Sequence, residues 1–141
     1  AKPWKAWPPD SLPEYERVAI AELQELLELH RQQIDADESH AYFQKEGDLD
    51  FHFRIVRGSG NSHLEELLCR DLYQLLRLYR FQFGMPASKR SDLAFAEHEH
   101  IVAAIARRDG ELAEMLMRHH IRASRDNTRK RLAECQNCGD N

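Results

Sequence analysis

The chain has 141 residues, 42% hydrophobic and 31% charged, which fits one soluble globular domain able to bury a core. Its formal net charge of -4 argues against a nucleic-acid surface on the chain itself, because phosphate binding needs an excess of Lys and Arg. No apolar run reaches the length of a membrane span, and the opening AKPWKAWPPDS lacks a signal-type apolar stretch, so a cytoplasmic protein is expected. The first residue is not Met, so a longer parent protein is expected. Residues 1–10, with two Trp and three Pro, read as a linker or displaced segment.

Five helical stretches and no convincing strand follow. They predict an all-α antiparallel bundle of about five to six helices over residues 11–133, with a disordered tail at 134–141. The first stretch covers residues 12–34: Ser11 and Glu14 make a capping box, and Leu23, Leu26, Leu27 and His30 form one apolar stripe. The second covers residues 39–57, where Gly47 costs about 1 kcal/mol against Ala and predicts a kink or close packing. Ser59, Gly60 and Asn61 break the pattern, and Ser62 with Glu65 forms a second capping box for a helix over 62–83. In that helix Leu64, Leu67, Leu68, Leu72, Leu75, Leu78 and Tyr79 keep a helical period. The fourth stretch spans 92–108, Asp109 and Gly110 turn the chain, and the fifth spans 111–132.

Cysteine usage points to a reducing compartment. Cys69 lies within an apolar helical pattern and reads as a small hydrophobe. Cys135 and Cys138 form a single C-x-x-C, whereas a zinc ribbon needs a second pair.

Histidine is the unusual component, with 8 in the chain. His52 sits on the face of Ile55 and Val56, with Asp48 one helical turn before it. His98 shares a face with Ala94, Ile101, Val102 and Ile105, and His120 with Ala113, Leu116 and Ala123. His98 and His120 are similarly distant from the turn at Asp109, so they stand at one height in an antiparallel pair. His100 lies nearer solvent, His40 and His63 fall at helix starts, and the face of His119 is ambiguous. A buried carboxylate is costly unless paired or bound to a cation. Three inward imidazoles and an aligned carboxylate suit one divalent transition metal, zinc first and nickel, manganese or iron next. A lone inward His is more often an ordinary hydrogen-bonded core residue, and by pattern alone the two readings are evenly balanced.

The segments DLDFHFRIVRGSGNSHLEELL (48–68) and EHEHIVAAIARRDGELAEMLMRHHI (97–121) resemble, in that order, two segments of the FCD family. These are the C-terminal ligand-binding domains of GntR-type bacterial transcriptional regulators. The resemblance covers residues 12–125 and carries the metal ligands onto Asp48, His52, His98 and His120, the same set as the inward faces. It implies an effector-sensing domain that binds a small organic acid. It also implies a homodimer that reaches operator DNA only through a winged helix-turn-helix domain outside this chain. Family domains usually have six or seven helices, and the usual first helix, with its effector-binding Arg, is not recognisable here.

Arg80 and Arg77 on the third helix are candidate clamps for an effector carboxylate, because guanidinium pairs with it bidentately. A solvated helix face is the plainer reading of both, and turn chemistry is the plainer reading of Asn61, the third candidate contact. Arg118, Arg122, Arg125 and Arg129 form a basic row that reads first as a solvated face. The alternative function is a metal-dependent helical-bundle enzyme of hydrolase or transferase type. It would need a general base near the metal, and neither Glu97 nor Glu99 shares the face of His98. A metal-free interaction module is a third possibility, in which His98 and His120 would tolerate Leu or Gln.

Overall fold

A computed structural model of the chain describes residues 14–36, 50–75, 78 and 89–138. All regular structure among them is helical: α1 (Glu14–Ala36), α2 (Phe51–Gly58), α3 (Ser62–Glu65), a π-helical continuation of α3 (Glu66–Asp71), α4 (Lys89–Ala106) and α5 (Gly110–Cys138). The all-α bundle expected from the sequence is therefore the fold. The Ser11–Glu14 capping box and the Gly47 kink lie partly or wholly outside the described residues.

α1 buries the stripe its spacing predicts, Leu23, Leu26, Leu27 and His30. The core joins Leu23 and Leu27 of α1 to Phe51 of α2 and to Phe95, Ile101 and Val102 of α4, with Leu116 and Met117 of α5 packed against it. Ion pairs fasten the rim of α1: Arg54 to Glu22 at 2.8 Å, Arg108 to Glu16 at 3.1 Å, and Arg31 to Glu99. Such exposed pairs contribute little each, so burial of the shared stripe carries the packing.

Local chemistry moves three expected boundaries. α2 starts at Phe51 rather than continuing from residue 39, because Asp50 has extended backbone (φ -91°, ψ 126°) and caps the helix. Its carboxylate accepts the N–H groups of His52 at 2.9 Å and Phe53 at 3.4 Å, which answers two donors left open at a helix start. α3 is capped by Asn61 rather than Ser62, with the Asn61 Oδ1 accepting the Leu64 N–H at 3.0 Å. α5 continues as helix to Cys138, past the end expected at Leu132 and into the segment expected to be a disordered tail.

The leucine stripe of the third helix is also interrupted. The Leu72 N–H bonds to the Leu67 carbonyl at 3.0 Å, a π-type register that takes an extra residue into the turn. Residues before and after it no longer share one face, and Leu64, Leu67, Leu72, Leu75 and Leu78 are all exposed.

Two turns use left-handed backbone. Gly60 stands at φ 67° just before the Asn61 cap, and Arg108 at φ 58° closes α4. At Arg108 the chain makes paired terminal bonds, Asp109 N–H to Ala104 O at 3.0 Å and Arg108 N–H to Ile105 O at 2.9 Å. These satisfy carbonyls that the helix end would leave open. The Asp109 carboxylate then accepts the Leu112 N–H at 3.0 Å and starts α5. A Cβ at Gly60 would meet nothing within 4 Å, so Gly60→Ala tests the backbone alone. We predict a loss of about 1 kcal/mol in urea unfolding. Unchanged stability would show that this φ is not held in solution.

Candidate metal centre

α4 and α5 lie antiparallel across the Arg108 turn, so His98 and His120 meet at one height. Both are buried, at 1% and 4% exposure. α2 brings His52 from a third helix, with 29% of its side chain exposed. His52 Nε2 lies 3.0 Å from His120 Nε2, and His98 Nε2 lies 3.2 Å from His120 Nε2. One ligand atom of each falls within 4.8 Å of the other two, the one such group among the described residues. Zinc–nitrogen bonds of 2.0–2.1 Å put tetrahedral ligand atoms about 3.3 Å apart, so the observed separations fit the edges of a coordination shell.

Carboxylates face the other ring nitrogens. Glu97 Oε2 stands 2.6 Å from His120 Nδ1, and Asp50 Oδ1 stands 3.3 Å from His52 Nδ1. An ionised carboxylate only accepts, so these Nδ1 atoms donate. Neutral rings bonded in this way would turn the Nε2 lone pairs of His52 and His120 toward each other. Such an arrangement calls for a cation between them. A proton can bridge two of the three Nε2 atoms, whereas one metal ion can serve all three. His98 itself is stacked on Phe51, ring centroids 3.9 Å apart and planes at 17°.

The sequence-derived ligands divide. His52, His98 and His120 are brought together, one ligand atom of each within 4.8 Å of the others. Asp48 lies outside the described residues. The helical-face relation expected between Asp48 and His52 requires an unbroken helix, and the extended backbone of Asp50 interrupts it. Arg77 and Arg80 also lie outside the described residues. Asn61 is exposed and its amide oxygen caps α3, which is the turn chemistry its position suggested. His63, His100 and His119 are exposed, and His40 is outside the described residues. His30 is buried like His98 and His120, at 1% exposure, but it is not one of the three-histidine group. Cys69 is half-buried, and burial followed by the nearby Glu65 carboxylate pushes its thiol up, so it stays protonated at neutral pH.

Glu97 and Asp50 were not selected by sequence reasoning. The face test for Glu97 considered only its own helix, whereas its partner is on α5. Asp50 falls inside the helix expected over residues 39–57, although Asp directly before an apolar helical residue is a common cap.

Residues 15–123 match the FCD domain family model, and the chain belongs to that family. FCD domains are regulatory ligand-binding domains, and a cluster of three histidines able to take a metal ion agrees with that class. No curated protein matches the chain significantly. No helix among the described residues is long and apolar enough to cross a membrane.

Proposed function

We propose that this chain is the effector-sensing domain of a GntR-type transcriptional regulator. It holds one divalent transition metal, zinc first, through His52, His98 and His120, with Asp48 as the fourth ligand on the family resemblance. The observation that carries this reading is the convergence of three Nε2 atoms, two of them in rings whose Nδ1 faces a carboxylate. A bound cation offers Lewis acidity to the carboxylate of a small organic acid, with Arg80, Arg77 and the amide nitrogen of Asn61 as further contacts. Operator DNA is reached through a winged helix-turn-helix domain outside this chain, in a cytoplasmic homodimer. The exposed leucines of α3 and its π-helical continuation, Leu64 and Leu67, are suited to a subunit interface. Effector binding controls DNA affinity only if it favours one arrangement of the dimer over another.

A sensor is favoured over an enzyme by the position of Glu97. Its carboxylate is engaged at His120 Nδ1, on the far side of the ring from the converging Nε2 atoms. It is therefore badly placed to take a proton from a water on the metal, as catalysis would require.

The deciding experiment is elemental analysis of the purified chain beside a His98→Ala, His120→Ala double variant. About one equivalent of a transition metal in the wild type, lost in the variant, is expected for a site built on these ligands. A wild type that carries no metal and takes none up on titration would overturn the reading.

A further inference from the structure

We propose that Glu97 is a positioning residue of the metal centre, acting through His120, and that Asp50 plays the same part for His52. This rests on the metal reading above and concerns groups that touch the ligands rather than the ion.

Glu97 and His98 are neighbours on α4, yet their side chains serve different ends. His98 turns into the core, whereas Glu97 crosses to α5 and meets His120 Nδ1 at 2.6 Å, with 19% of its side chain exposed. A neutral histidine carries one ring proton, and the hydrogen bond at one nitrogen decides where it sits. The Glu97 carboxylate places that proton on Nδ1 and leaves the Nε2 lone pair facing His52 and His98. Outer carboxylates of this kind fix the tautomer and the orientation of histidine ligands. α4 thus supplies one ligand and braces another, coupling the packing of the α4–α5 hairpin to the shape of the centre.

Asp50 repeats the arrangement at His52 with a longer separation, 3.3 Å. It is itself fixed, at 2% exposure, by the backbone N–H groups it accepts at the start of α2. Two carboxylates beside the imidazoles add negative charge around a divalent ion without occupying its coordination positions. The second neighbour of Glu97, His119, is 73% exposed with Nε2 3.9 Å away, beyond hydrogen-bond reach.

Glu97 is the better residue to test, because removing Asp50 also removes a helix cap. Two measurements on the full chain are required. In the metal-free protein, long-range proton–nitrogen NMR correlations report the tautomer of each histidine. His120 is expected as the Nδ1–H form in the wild type and shifted toward the Nε2–H form in Glu97→Ala. Competition between the protein and a chelator for zinc is expected to show affinity falling roughly 10–100-fold in Glu97→Ala, with Glu97→Gln intermediate. Circular dichroism of both metal-free variants is expected to match the wild type, and Glu97→Gln carries the comparison should Glu97→Ala unfold.

A wild-type His120 in the Nε2–H form, or variants that bind zinc within about twofold of wild type, would overturn the positioning role while leaving the metal site standing. A wild type that binds no zinc fails differently: the metal reading falls, and the positioning role falls with it whatever the tautomer.

Discussion

Zinc added to the metal-free chain is expected to raise its melting temperature by roughly 8 °C at a free concentration about 100 times the dissociation constant. Binding to the native state alone adds about 2.7 kcal/mol under those conditions. The unfolded chain has no such site, because His52, His98 and His120 come from three helices and converge only in the fold. The shift should vanish in His120→Ala, whose Nε2 is the atom close to both of the others. Differential scanning fluorimetry with and without chelator measures both. An equal shift in His120→Ala would place the bound zinc elsewhere, with the solvent-facing His63, His100 and His119 as the first alternatives.

The contrast between His98 and Glu97 shows which part of this site was legible in the sequence. His98 and His120 could be placed because each sits in an apolar period on a long helix and the Asp109 turn fixes their relative height. His52 followed from Ile55 and Val56 within α2. The all-α class and the α1 stripe came from the same periodicity, which reports burial directly. Glu97 carries no apolar signal, and only comparison across the hairpin, where it stands one residue farther from the Asp109 turn than His120, reveals it. The π-helical turn after Glu65 is a change in hydrogen-bond register with no residue signature, so the leucine stripe continued on paper where the backbone breaks it. Arg108 is likewise an unusual residue for a left-handed helix end, a place where Gly is common. His30 was placed on the buried face of α1, but a face alone assigns no partner.

Phe51→Ala is expected to cost about 3–5 kcal/mol, the largest effect of any single substitution considered, against a total stability of about 5–15 kcal/mol for a domain of this kind. Phe51 is 0% exposed, and it joins α1, α2 and α4 in the core cluster of the described residues. Its removal leaves a cavity that three separately anchored helices cannot easily close. The same ring lies flat on His98, so its part in orienting that imidazole can be tested apart from bulk stability. Phe51→Leu separates the two. Leu restores most of the apolar volume and is expected to cost about 1 kcal/mol in urea unfolding of the metal-free chain. It offers no flat face to the imidazole, so His98 gains freedom to leave its ligand orientation, and zinc affinity should fall by more than the stability change alone would produce. Urea unfolding and chelator competition on the same variant decide the matter. If Phe51→Leu binds zinc as tightly as the wild type, the stacked ring is packing only. If affinity falls while metal-free stability is nearly retained, the core residue is also a wall of the metal centre, and the burial that holds the bundle together also orients its ligand.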